Sequence, residues 1–182
     1  AVTVQTDKGT YTGKKLVITV GPWSAELVPG IQEKLKITRQ VLSWISPDSL
    51  EQFTMDRFPC WMIVKPGSPG SYYGFPAMKS GEVGGPAGIK LALHHPGQVT
   101  SAGTIDRSIH PADLDHLVSF AKEYIPSAGT AINDTATCMY SNSPDEHFII
   151  DHLPGTDKQV ITAWGFSGHG FKFVSVVGEV LA

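Results

Sequence analysis

The chain has 182 residues and a formal net charge of −3 at pH 7, with 41% hydrophobic and 17% charged residues. That balance supports a buried core. It leaves no basic run for nucleic acid and no 18-residue apolar stretch for a membrane span. Its two cysteines, Cys60 and Cys138, make no disulfide framework, so a reducing, intracellular setting is the default expectation.

In chain order, "AVTVQTDKGTYTGKKLVITVG" predicts a hairpin and a following strand. Val2 and Val4 alternate with polar residues, Asp7-Lys8-Gly9 supplies the turn, and the apolar run "KLVITV" predicts a buried strand. "KLKITRQVLSWIS" predicts a longer strand, and "PCWMIVKPGSPGSYYGFPA" two strands around a Pro/Gly loop. "GGPAGIKLALHHPG" predicts another, with Ile89, Leu91 and Leu93 on one face and Lys90, Ala92 and His94 on the other. "HPADLDHLVSFAKEYIP" predicts a helix. Pro111 stands at its first position, Leu114, Leu117, Val118, Ala121, Tyr124 and Ile125 form one apolar stripe, and Pro126 ends it. "TATCMYSNSPDEHFIIDHLPG" reads as two strands joined at Ser143-Pro144-Asp145. "QVITAWG" reads as a last strand, and Phe171 to Ala182 as a last helix. The chain opens without Met inside a strand pattern and closes in "VVGEVLA" without a stop signal. A piece of a longer protein is therefore expected, with partners of its sites on the remainder.

The histidines, at 94, 95, 110, 116, 147, 152 and 169, lack the spacing of a metal site. His94 and His95 are expected on opposite faces of a strand. Taken alone, Cys138 reads as a small buried hydrophobe, Lys90 as a solvated or salt-bridged lysine, Lys172 as a snorkelling helix residue and Tyr72-Tyr73 as packing. The stretch "GFSGHGFKF", Gly165 to Phe173, stands between a strand and a helix. Bare backbone at Gly165, Gly168 and Gly170 lets a flat ligand approach. The helix start offers unpaired N–H groups and a positive dipole end to a group that is or becomes negative. The other reading of the same residues is a tight strand-to-helix turn with no ligand.

Two long segments, "CMYSNSPDEHFIID" and "GFSGHGFKF", closely resemble the C-terminal region of the monomeric sarcosine oxidase family. This family includes N-methyltryptophan oxidase and belongs to the D-amino-acid-oxidase-like superfamily. "YYGFPA", "GIKLALHH" and "LVITVGPWS" match in order and spacing, so the resemblance covers nearly the whole chain, more loosely in the middle. It implies an α+β fold in which a mixed-sheet substrate domain is inserted into a split α/β FAD-binding domain. Residues 1–33 and 133–182 would belong to the FAD-binding domain and residues 34–132 to the substrate domain. The G-x-G-x-x-G fingerprint of that family, N-terminal to all of this, does not occur in the chain.

The resemblance also implies roles. Cys138 aligns with the cysteine that carries FAD through an 8α thioether, a reaction suited to a thiolate. Met139 and Tyr140 follow it in the same motif. Gly165, Phe166, Ser167, Gly168, His169 and Gly170 would face the pyrimidine edge of the flavin. Lys172 would pair with the substrate carboxylate, and Tyr73 and His94 would line the substrate. Lys90 would stand where oxygen reacts, its charge stabilising superoxide. The implied activity is FAD-dependent oxidation of secondary (N-methyl) amino acids such as sarcosine to an imine and then an aldehyde, with hydrogen peroxide as the second product. The implied partners are a small amino-acid substrate and oxygen, and the implied location is the cytoplasm, or the peroxisome in a eukaryote. The isolated piece is expected to be inactive, to lack tightly bound FAD and to self-associate. One rival is an FAD dehydrogenase of the superfamily that avoids oxygen, which a peroxide assay separates. Another is an amino-acid-binding module without flavin, which would not be yellow.

Overall fold

The computed structural model describes residues 1–78 and 85–182, so Gly84 at the head of the "GGPAGIKLALHHPG" segment lies outside the described residues. In chain order the strands begin with β1 (Val2–Thr6), β2 (Gly9–Gly13), β3 (Leu16–Ile18) and β4 (Lys36–Ile45). There follow β5 (Trp61–Val64), β6 (Ser71–Met78), β7 (Gly88–His94), β8 (Gln98–Val99), β9 (Ile132–Asn142), β10 (Ile149–His152) and β11 (Val160–Trp164). The helices are α1 (Ser24–Leu27), α2 (Pro111–Tyr124) and α3 (Val174–Leu181), so the architecture is sheets with few helices. Two compact units are formed, the first from Ala1–Thr38, Val99–Gly103 and Met139–Ala182, the second from Arg39–Gln98 and Thr104–Cys138.

In the first unit β1 and β2 form a hairpin whose last pair is Thr6 with Gly9. The Thr6 hydroxyl accepts the Lys8 N–H across the turn at 3.1 Å. A three-stranded sheet runs β10-β11-β3, antiparallel between β10 and β11 and parallel between β11 and β3. Its β3 is an edge strand with Val17 46% exposed. The expectation of a buried strand at "KLVITV" is thus corrected: an edge strand has a neighbour on one side only, and its apolar residues are covered incompletely. Val28, Ile31, Leu35, Ile37 and Trp164 form the core, with Met139 packed against them. The predicted last helix divides into a 3₁₀ turn, Phe171–Phe173, and α3.

In the second unit the strands pair in the order β5-β6-β7-β4-β8, and β9 pairs with β4. Helix α2 covers one face of this sheet. Pro111 opens the helix, and the Asp113 carboxylate accepts the His110 N–H at 2.8 Å, satisfying a donor that the helix start leaves free. Phe120, at 1% exposure, stacks on Tyr72 with ring centroids 4.0 Å apart. Ile45, Tyr72, Leu91, Leu117, Phe120 and Ala121 make the core between helix and sheet. Arg39 ties the loop before α2 to the sheet. Its guanidinium donates to Asp113 at 2.7 and 2.9 Å and to the Asp106 and Ser108 carbonyls.

Candidate active site

Because side chains alternate along a strand, placing Tyr72 and Leu91 against α2 sends their neighbours to the other face of the second unit's sheet. Register pairs Phe75 with Lys90, Tyr73 with Ala92 and Ser71 with His94 between β6 and β7. Trp44 of β4 pairs with Lys90, and Met62 of β5 with Tyr73. One face therefore gathers Trp44, Met62, Tyr73, Phe75, Lys90 and His94. Of these, sequence reasoning singled out Tyr73, Lys90 and His94 and missed Trp44, Met62 and Phe75. The i, i+2 spacing of Tyr73 and Phe75 was visible in the sequence. The pairing of β4 and β5 with this face was not.

Lys90 is the centre of the face. Its Nζ lies 5.3 Å from the Phe75 ring centroid, 5.8 Å from Trp44 and 6.0 Å from Tyr73. No carboxylate among the described residues forms an ion pair with it. Burial pulls its pKa below the usual lysine range, and Cys138, when ionised, opposes that shift. The free Cys138 thiol is pushed above the usual thiol range by burial and pulled back by the Lys90 charge. The protein alone therefore favours the neutral thiol at Cys138, whereas the covalent chemistry implied by the resemblance uses the thiolate.

His94 meets Tyr73 edge to face, with ring centroids 6.1 Å apart. The expectation that His94 and His95 point to opposite faces is corrected. β7 ends at His94, His95 turns to φ +51°, and the two rings approach to 4.5 Å. The alternation rule applies only while the chain stays extended. A Cβ at Gly70 would fall 1.4 Å from the His95 carbonyl oxygen, so glycine there lets the entry to β6 lie against this corner.

In the first unit, the Gly165–Gly170 turn is bonded to the end of β9 by serines. The Ser167 N–H donates to the Ser141 carbonyl at 2.9 Å, and the Ser167 hydroxyl donates to the Gly165 carbonyl at 3.0 Å. The Ser143 hydroxyl donates to the His147 carbonyl at 2.7 Å. Gly168, at φ +76°, lies under Tyr140, whose ring a Cβ would meet at 2.3 Å. Gly170 lies against Phe166, which a Cβ would meet at 2.5 Å. Close packing inside the turn thus accounts for Gly168 and Gly170, in line with the tight-turn reading of this stretch. His169 shares its Nε2 with the Glu146 carbonyl at 3.1 Å, and its ring packs on Phe148 beside Phe166. Lys172 is exposed, its Nζ 5.3 Å from the Phe173 ring centroid. No side chain caps the start of α3; the 3₁₀ turn runs into it, with the Phe173 N–H donating to the Gly170 carbonyl at 2.9 Å and the Val174 N–H to the Phe171 carbonyl. Met139 belongs to the core described above, and Tyr140 is buried over Gly168. Among the described residues no cluster of His, Cys, Asp and Glu could hold a metal ion, and no helix is long and apolar enough to cross a membrane.

Across residues 1–182 the chain matches the family described as FAD dependent oxidoreductase. It is similar to monomeric sarcosine oxidase of Bacillus sp. (strain NS-129), 38% identical over 185 residues that cover 100% of this chain and 46% of that protein. It is also similar to N-methyl-L-tryptophan oxidase of Yersinia pestis (strain Pestoides F), 36% identical over 183 residues with 100% and 46% covered. The chain spans about half the length of these curated relatives. Among solved structures, its fold resembles fructosamine oxidase from Aspergillus fumigatus, with a TM-score of 0.74, 20% identity and coverage of 97% of this chain and 42% of that one. It also resembles an unusual amino acid oxidase essential for nikkomycin biosynthesis, with a TM-score of 0.76, 18% identity and coverage of 98% and 46%. At those identities the likeness to solved structures is one of fold.

Proposed function

The chain belongs to the FAD dependent oxidoreductase family, and we propose that it forms part of an oxidase of secondary (N-methyl) amino acids such as sarcosine. The products would be an imine, hydrolysed to an aldehyde, and hydrogen peroxide. The observation that carries this reading is Lys90, a half-buried cation ringed by Trp44, Tyr73 and Phe75, with no carboxylate to pair it among the described residues. A charge held in that way is suited to stabilising negative charge that exists only during a reaction. Residues 34–132 would form the substrate domain, and residues 1–33 and 133–182 would be parts of the FAD-binding domain.

The family match and the free thiol at Cys138 support FAD as the cofactor. The free thiol of Cys138 would carry the cofactor covalently, and Lys90 acts on that thiol electrostatically. The Gly165–Gly170 turn and the helix that follows it would face its pyrimidine edge. Bound FAD would supply two-electron acceptance for the oxidation of amine to imine, with the electrons and two protons ending on oxygen as hydrogen peroxide. The chain's own residues bind and orient. Lys172 would pair with the substrate carboxylate, Tyr73 and His94 would flank the amine, and Lys90 would stabilise the charge that oxygen gains. The test is peroxide release by the full-length flavin-loaded protein supplied with N-methyl amino acids. Peroxide in step with amine consumption is expected. Electron delivery to an artificial dye but not to oxygen would overturn the oxidase reading in favour of a dehydrogenase.

A further inference from the structure

Sulfur is unevenly placed in this chain. A pocket of about 330 Å³ opens on the second unit's sheet, over the rungs from Lys90 with Phe75 to Gly88 with Met78. Two of the chain's four methionines, Met55 and Met78, and one of its two cysteines, Cys60, line it. They come from separate stretches: Cys60 stands directly before β5, Met78 ends β6, and Met55 lies in the segment between β4 and β5. Cys60 carries a free, exposed thiol, Met55 is 68% exposed and Met78 is half-buried. Lys90 is the one charged side chain at the walls among the described residues.

We propose that Met55, Cys60 and Met78 are modification sites, oxidised by the hydrogen peroxide that the enzyme itself releases beside Lys90. The inference rests on the oxidase reading above and adds what the second product does to the protein. Peroxide formed at a pocket wall meets the other walls before it is diluted, and sulfur is the side-chain atom it oxidises most readily. At each methionine the O–O bond of hydrogen peroxide breaks and an S–O bond forms. The thioether becomes a sulfoxide, and the second oxygen leaves as water. At Cys60 the thiol becomes a sulfenic acid, again with water as the other product. In each case sulfur loses two electrons and peroxide gains them. Sulfoxide and sulfenic acid are polar, so an apolar wall beside Lys90 turns polar and turnover slows. The change is reversible, by thiols at Cys60 and by methionine sulfoxide reductases at Met55 and Met78. The pocket would thus act as a brake set by the enzyme's own output.

Met62 provides the internal control. It is 60% exposed, nearly as much as Met55, but it stands on the Tyr73 rung, outside the pocket. Full-length, flavin-loaded protein is allowed to turn over an N-methyl amino acid with catalase in the solution to remove free peroxide. Peptide mass mapping should then find one added oxygen on Met55 and Met78 and a trapped sulfenic acid at Cys60, with Met62 and Met139 unmodified. Peroxide added from outside, without amine, should instead oxidise Met62 along with Met55. The combined change Met55→Leu, Cys60→Ser and Met78→Leu keeps the side chains near their volumes, and should cut the activity lost per turnover about threefold or more. The map of the unmodified protein decides the matter if that variant does not fold. Oxidation of Met62 as readily as of Met55 and Met78 during turnover would overturn the proposal, and so would complete protection by catalase. Absence of peroxide when catalase is left out would instead refute the oxidase reading, and this proposal with it.

Discussion

Lys90 and Lys172 are alike in charge and differ in setting, one half-buried among rings and the other exposed. Replacing Lys90 with Met keeps the length and removes the charge. In full-length enzyme, reoxidation should slow by at least about tenfold, or ~1.4 kcal/mol, with anaerobic reduction near its normal rate. Stopped-flow measurement of the two half-reactions checks this, and equal slowing of both would make Lys90 structural or substrate-binding. The lowered pKa of Lys90 sets the direction of the pH dependence. Its charge is lost at lower pH than that of a free lysine, so the reoxidation rate should decline on the alkaline side earlier than free lysine would dictate. Cys138 titrates above the ordinary thiol range. Covalent attachment of FAD to unflavinylated enzyme, followed by acid-resistant absorbance, should therefore quicken as pH rises and more thiolate forms. Cys138→Ala should leave the flavin extractable by acid, and acid release from the unmutated enzyme would refute the linkage.

At the scale of elements, the start of α2 and the turn before α3 are the most closely determined. The hydrogen bond from Arg39 holds the Asp113 carboxylate below the usual carboxylate range. The hydrogen bond from His110 holds Asp106 at about 2. Each carboxylate has a folded pKa below its unfolded value. Its stabilisation is thus present above the ordinary carboxylate range and is lost as pH falls, for Asp106 down to about 2. Asp113→Asn should remove Asp113's share of the acid-side loss and cost about 3 kcal/mol at neutral pH, because it leaves a buried guanidinium without its anion. Denaturant titration at pH 7 and pH 3 measures both effects. Gly168→Ala meets two obstacles together, a φ of +76° and the Tyr140 ring. A loss of about 1–3 kcal/mol is expected. An unchanged midpoint would mean that the turn has room to shift.

At the scale of the whole molecule, a chain spanning about half the length of its relatives carries much apolar surface. Phe171 is 91% exposed, and Val174, Val180 and Leu27 are each 60% or more exposed. Such surface favours self-association. The 182-residue chain should elute above its monomer mass of 19.6 kDa, and Phe171→Ser with Val180→Ser should shift it towards monomer. Light scattering gives the mass, and a monodisperse monomer would contradict the expectation. The same preparation should show no flavin absorbance near stoichiometry, because the chain lacks the G-x-G-x-x-G that seats the nucleotide.

The sequence by itself determined the elements whose causes are local. The α2 stripe with Pro111 and Pro126 at its ends, the hairpin at Asp7-Lys8-Gly9 and the alternation along β7 all follow from period and turn chemistry within a few residues. It also carried the family, through two long segments whose residues need no structure to be compared. Only the tertiary structure decided what depends on pairs far apart in the chain. Trp44 reaches Lys90 through the register of β4 with β7, and Phe120 meets Tyr72 by packing a helix on a sheet. Gly168 is required because Tyr140, from a different strand, occupies the space a Cβ would fill. Strand register, edge position and the closeness of non-neighbouring side chains are set by the sum of many weak contacts, and no short window of sequence contains that sum.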